Sequence, residues 1–266
     1  MKMIKNFRTL FSYRELIVSL TKKELKVKYR GSVLGFFWSL LNPILTMLVY
    51  SFVFSIVMRG GIKEFAIFLM CALLPFNFLS NSVNYGASSI IANSNLVNKI
   101  YFPREIIPLS IIFANLINYF FELAALFIVL AVMGYKFYLF LYILPVIIFV
   151  QFFLVAGITL LVSALNVFFR DLQHLITIIM MVWFFGTPII YPLSMVPEKF
   201  HFVMKINPMT IYTAYYRNIF YYVKYPEGAG FPGLPETLTA LGITLLAFFV
   251  GYFVFKKLEY RFAEEI

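Results

Sequence analysis

FYLFLYILPVIIFVQFFLVAGITLLVSALNVFF (137–169) contains no Asp, Glu, Lys or Arg. About 20 apolar residues suffice for a helix to cross the hydrocarbon of a bilayer, so this run can span with residues to spare. Backbone groups in lipid must be paired within the segment, and barrel-type alternation is absent, which leaves a helix. Further charge-free runs cover 31–58, 65–98, 106–121, 172–197 and 237–255, the third resuming after Glu122 and continuing to 135. The reading is an all-α integral membrane protein. Its six transmembrane helices lie near 34–57, 66–90, 107–133, 139–165, 173–193 and 237–256.

Composition points the same way. Of 266 residues, 62% are hydrophobic and 13% charged, with mean hydropathy +0.88. Soluble domains carry about 25% charged residues, so this chain lacks the charge to cover a water-facing surface. Its formal net charge is +10, but nine of the 22 Lys and Arg fall within residues 1–30. A basic block beside a span marks topology and anionic lipid rather than nucleic acid. With the N-terminus inside, segments 1–33, 91–106, 166–172 and 256–266 hold 15 Lys and Arg and the outer segments hold seven. The positive-inside rule then places both termini in the cytoplasm. The charged N-terminal region runs to Arg30 and lacks the form of a cleavable signal peptide. Cys71 stands alone, so no disulfide forms within the chain. No repeat or linker interrupts the sequence, and 1–266 reads as one membrane domain.

Polar residues are placed with helical period. Before the first span, Tyr13, Leu16, Ile17, Leu20 and Val27 share one face, and Lys22, Lys26 and Arg30 the other. Glu24 and Lys28 are spaced for an i,i+4 pair. This predicts an amphipathic helix in the cytoplasmic interface. Three spans carry polar stripes: Ser39, Asn42, Thr46 and Tyr50; Asn77, Ser80, Asn81, Asn84 and Ser88; and Asn115, Asn118 and Glu122. Stripes of this kind serve helix–helix hydrogen bonding or line a polar path. Glu122 is the ionisable group deepest in a span. With no base on a neighbouring span it is expected to be neutral, or in contact with Asn118. Segment 194–236 is rich in Pro and Tyr, and Tyr favours the membrane–water interface. Short re-entrant helices before the last span are the reading there.

Enzyme chemistry finds no support. His174 and His201 are the only histidines, too few and scattered for a metal site. No carboxylate pair shares a helix face, and no G-x-x-x-x-G-K-[ST] loop is present to bind ATP. No catalytic residue and no resident cofactor are expected. Transport against a gradient would need an ion or another subunit.

Five blocks carry a family resemblance: ELKVKYRGSVLGFFWSLLNP (24–43), NKIYFPREIIPL (98–109), NVFFRDLQHL (166–175), TPIIYPLSMVPEK (187–199) and INPMTIYTAYYRNIF (206–220). In this order and between these spans, they resemble the transmembrane subunit of ABC-2-type polysaccharide exporters, the group of O-antigen, capsule and wall teichoic acid export permeases. The resemblance implies a homodimer in the bacterial cytoplasmic membrane with two copies of a separate ATP-binding cassette ATPase, which would hold the ATP and Mg. It implies a lipid-linked glycan as substrate. Loop 92–104 matches the family's coupling helix, with Lys99, Ile100, Phe102 and Arg104 as contacts to the ATPase. The N-terminal segment 1–33, including Glu24 and Lys28, matches the interface helix beside it. Arg170 and Asp171 would lie at the inner ends of the fourth and fifth spans.

The first and fifth spans would line the channel. Trp38, Asn42, Tyr50, Trp183, Phe184 and Tyr191 are the candidates, because sugar C–H faces slide over aromatic walls. Segment 194–236 would be the outer gate, with Tyr212, Tyr215 and Arg217. An ABC-2 exporter of a small lipid or drug shares the fold but generally has other outer loops. An ion-coupled secondary transporter would show repeated halves and several intramembrane charges, which this chain lacks.

Overall fold

The computed structural model describes residues 12–53, 62–228 and 230–266, and every regular element among them is helical. The expected segments 1–33 and 34–57 therefore lie partly outside the described residues. In chain order the main helices are α1 (Arg14–Lys28), α2 (Trp38–Phe52), α3 (Phe65–Ala87), α4 (Ser94–Lys99), α5 (Ile106–Val132), α6 (Leu144–Phe168), α7 (Leu172–Phe185), α8 (Pro208–Phe220) and α9 (Leu234–Leu258). Prolines open α6, α8 and α9 within their first two positions, where the missing N–H costs no helical bond.

Four stretches are long and apolar enough to cross a membrane: Phe65–Ala87, Ile106–Val132, Phe137–Phe168 and Leu234–Glu265. The chain is a multi-pass membrane protein. Helices α2 and α7 are apolar but only 15 and 14 residues long. At 1.5 Å per residue α7 reaches about 21 Å, short of a hydrocarbon core about 30 Å thick, whereas α2 is still helical at Val53, where the described stretch stops. Helix α7 is thus shorter than the span 173–193 drawn from hydropathy, while α2 begins later than the span 34–57 and its far end lies at the limit of the described residues. The reasons are local. Gly31 and Gly35 take φ of 76° and 50° and turn the chain between α1 and α2, a conformation that glycine tolerates. Helix α7 ends at Gly186, and Pro188 then disfavours helix at Thr187.

Helix α3 is the central post. It is buried along most of its length and packs on α2, α5, α6, α7 and α8. Pro75 sits inside it, and the buried Gln151 of α6 donates from Nε2 to the Pro75 carbonyl at 2.8 Å. The Tyr216 hydroxyl of α8 donates to Gln151 Oε1 at 2.8 Å. One amide thus ties three helices.

The largest helix contact is α6 on α9. Gly157 faces Gly251 there. A Cβ built on Gly157 would lie 2.5 Å from the Ala247 backbone carbonyl carbon, and one on Gly251 2.7 Å from the Gly157 carbonyl carbon. Small residues let the two backbones approach this closely.

Helix α1 packs lengthwise on α5. Thr21 Oγ1 donates to the Ser110 carbonyl at 3.5 Å and the Tyr29 hydroxyl to Asn118 Oδ1 at 2.6 Å. Leu20 is buried beside Ile90, Val97, Phe102, Ile106 and Phe262, with Tyr13, Leu16 and Ile17 packed around them. The apolar face is shorter than its periodicity suggests, because Val27 is exposed on the wall of a cavity.

Candidate functional site

At the base of the bundle, loop 92–104 is held on a polar pedestal. Lys256 of α9 lies 2.7 Å from Glu105, which is fully buried, and 3.1 Å from Glu259. Arg104 Nη1 donates to the Glu259 carbonyl at 2.7 Å. Phe102 and Val97 point into the apolar cluster around Leu20. Of the four residues expected to contact a partner here, Lys99 and Ile100 are exposed, while Phe102 is buried and Arg104 is tied to the C-terminal segment. Tyr101, which the sequence reading passed over, is 97% exposed. The loop therefore presents a tip, Asn98 to Tyr101, on a braced base. Arg170 and Asp171 are exposed in the short connection between α6 and α7.

The Glu24–Lys28 pair expected along α1 is not formed. Glu24 lies 3.6 Å from Lys23 instead. Lys28 is close enough to Glu122 of α5 for their charges to interact. Burial pushes the Lys28 ammonium below its ordinary value, and Glu122 opposes the shift. No neighbouring span carries a base for Glu122; the cation comes from α1. Asn118 accepts from Tyr29 and donates to the Ala114 carbonyl at 3.0 Å, so it does not serve Glu122.

The three polar stripes do not form one continuous path, although Ser88 of the second lines a cavity with Asn115 and Asn118 of the third. Tyr29 also bonds Ser39, so the first and third stripes meet at the end of α1. The second turns to α7, where Gln173 Nε2 donates to the Asn84 carbonyl at 3.1 Å and Thr177 Oγ1 to Asn84 Oδ1 at 3.4 Å.

The channel candidates divide by engagement. Trp38 and Asn42 are exposed on α2, and Tyr50 is half-buried against the core. Trp183 donates from Nε1 to Asn207 Oδ1 at 2.9 Å, Phe184 packs edge-on against Phe76, and the Tyr191 hydroxyl donates to the Phe185 carbonyl at 2.5 Å. Outward from these, α2 and α7 bare Leu45, Leu48, Ile178 and Val182. Asn207, also missed, is the joint here. It caps α8 by accepting from Met209 N at 3.0 Å and donates to Gly186 O and Thr187 Oγ1 at 3.0 and 2.9 Å. The Asn-Pro pair at 207–208 was its signal, an N-cap before a proline at the first helical position.

Segment 194–236 holds the short helix His201–Ile206 and then α8, which is buried among α3, α6 and α9. Tyr212 bonds Thr244, and Tyr215 bonds Thr237 at 2.8 Å, both on α9. Arg217 is buried, its guanidinium 3.6 Å from the Phe68 ring centroid. It donates to the Ile189 carbonyl at 2.6 Å and the Phe68 carbonyl at 3.4 Å. It has no carboxylate partner among the described residues.

Three loops meet at the same end of the bundle. Lys224 donates to Glu64 Oε1 at 2.9 Å and to the Met133 carbonyl at 3.1 Å, and Tyr135 donates to Glu64 Oε2. Burial acts to raise the Glu64 pKa, but the bonds from Tyr135 and Lys224 outweigh it and hold the carboxyl below its ordinary value. Glu64 takes φ 46°, the left-handed region, as it opens α3.

Comparison with known proteins covers most of this architecture. The ABC-2 type transporter family matches residues 15–221. An O-antigen export system permease protein of Myxococcus xanthus is 36% identical over 267 residues, spanning 99% of this chain and 100% of the relative. One from Klebsiella pneumoniae is 35% identical over 99% of this chain and 98% of its own length. The polysialic acid transport protein of Escherichia coli is 22% identical over 91% and 93%.

Proposed function

We propose, from the premise that this chain belongs to the ABC-2 type transporter family, that it is the membrane permease of an ABC exporter carrying polysaccharide across the cytoplasmic membrane. The observation that carries this is similarity along 99% of the chain to O-antigen export permeases. The permease works as a homodimer with two copies of a separate ATPase chain, which binds ATP and Mg. Both termini and loop 92–104 face the cytoplasm. The substrate is a lipid-linked glycan, and the exposed apolar faces of α2 and α7 meet across the dimer to form its path, with Trp38 and Asn42 toward the glycan.

Coupling follows from the pedestal. A push on the tip Asn98–Tyr101 cannot be absorbed by local bending, because Phe102 is buried and Arg104 and Glu105 are fixed to the end of α9. The load passes to α5 and α9 as rigid bodies. The test is co-reconstitution with the ATPase. Ile100→Ala with Tyr101→Ala removes exposed side chains only. Permease-stimulated ATP hydrolysis and glycan export should fall about tenfold, the equivalent of ~1.4 kcal/mol of coupling, with an unchanged melting temperature. Full coupling in the double variant, or glycan export without any ATPase, refutes the reading.

A further inference from the structure

We propose that the cavity between α1, the end of α3 and α5 binds the phosphate headgroup of an anionic lipid. The cavity has a volume of about 470 Å³. Asn115 lines it and is only 6% exposed, yet its amide has no hydrogen-bond partner among the described residues. The amide opens onto the cavity, where a polar ligand or water can pair with it. Lys28 lines the same cavity and makes no hydrogen bond or close ion pair among the described residues, although Glu122 of α5 lies near enough for their charges to interact. Lys23 completes the cationic wall, donating to Asn93 Oδ1 at 2.7 Å. The single acid on the wall, Glu24, is already beside Lys23.

The donor set selects the ligand chemistry. Two ammonium groups and an amide N–H can surround phosphate oxygens, and charge-assisted bonds of this kind are the strong ones. Uncharged sugar would be better served by carboxylates and several aromatic faces, and only Tyr85 offers one here. Ser88, Ser89 and Asn118 add polar groups to the wall, and Leu25, Val27, Ala92, Ile111 and Ala114 form its apolar part, which suits the first methylenes of a lipid tail and not a free ion. The inference rests on the permease reading only for the leaflet concerned, the cytoplasmic one.

The test uses the purified full chain in uncharged detergent, with lipid binding followed by native mass spectrometry. The probes are a prenyl diphosphate, phosphatidic acid, inorganic diphosphate and an uncharged prenol. Lys28→Gln and Asn115→Leu should each weaken prenyl diphosphate binding about tenfold, while Lys28→Arg retains it and prenol binding is the same in all. Where Asn115→Leu fails to fold, Asn115→Asp places an anion in the wall at unchanged shape and should weaken binding at least as much. Parallel weakening of phosphatidic acid identifies bulk lipid as the source, and an effect confined to the diphosphate identifies a lipid carrier. Each supports the site. Variants that melt like wild type and bind both phosphate lipids equally well overturn it. So does equal loss of prenol binding, or inorganic diphosphate binding as tightly as the prenyl form. Glycan export by cells carrying each variant is scored separately. Lost ATP-dependent export from an otherwise wild-type chain with lipid binding intact would count against the permease, not the cavity.

Discussion

Adding one methyl group at the α6–α9 crossing gives a sharp test of the packing. In Gly251→Ala the new Cβ would sit 2.7 Å from the carbonyl carbon of Gly157, and nearer still to its oxygen. Unstrained non-bonded carbons lie about 3.5 Å apart or more, so the backbones must part by roughly 1 Å. The obstacle is main chain inside a helix, not the free end of a side chain, and no rotamer change relieves it. Overpacking of this kind costs about 1–3 kcal/mol. Alanine's better helix propensity returns at most about 1 kcal/mol. Gly242→Ala on the same helix is the control, because a Cβ there meets nothing within 4 Å and only the propensity term acts. Thermal unfolding of the purified chain, followed by loss of the monodisperse peak, should rank Gly242→Ala at or above wild type and Gly251→Ala clearly below it. A Gly251→Ala protein as stable as Gly242→Ala would refute the close crossing.

Two further outcomes follow from polar contacts. Glu64 is held below its ordinary pKa of 4.5, so its contribution is fully present above that value and is lost as pH falls through the lowered folded value. The melting temperature of wild type should therefore drop more between pH 6 and pH 3 than that of Glu64→Gln. The difference should be a few degrees, for a partly exposed pair worth about 1 kcal/mol, and equal drops would remove the role assigned to Glu64. Arg217→Met leaves the Ile189 carbonyl without its buried donor, which costs about 1–3 kcal/mol. Arg217→Lys should rescue only in part, because an ammonium cannot stack flat on Phe68 while reaching two carbonyls. Full rescue by Lys, read as melting temperature, would show that charge alone matters at this position.

The helical membrane class was legible because charge-free length is a one-dimensional property, and 137–169 or 65–98 carry it without reference to any neighbour. Helix ends were less legible. Hydropathy continues through Leu34 and Ile189, while Gly31, Gly35 and Pro188 break the backbone there, so α2 starts later and α7 stops earlier than the apolar runs imply. Side-chain direction was not legible at all. FPRE at 102–105 reads as one polar-aromatic surface, yet Phe102 turns into the cluster around Leu20 and Arg104 reaches a carbonyl 155 residues away. Long-range partners of this kind leave no periodic signal.

Lys28 shows why this matters for function. Within α1 its spacing predicted a surface pair with Glu24, worth about 0.2–0.5 kcal/mol, and that is the bland outcome for an exposed amphipathic helix. Because α1 instead runs along α5, Lys28 meets the field of Glu122 and lines the same cavity as Asn115. One helix thus carries the basic charge that marks topology and, on its other side, a cation set opposite an unpaired amide. A role in topology alone would let any Lys or Arg pattern on α1 serve. Moving the charge from Lys28 to the exposed Val18, which does not line the cavity, in a Val18→Lys, Lys28→Val chain, keeps the positive-inside count unchanged but takes the ammonium off the cavity wall. Insertion with the same orientation and loss of phosphate-lipid binding would separate the two roles. Retained binding would reduce Lys28 to a marker of topology.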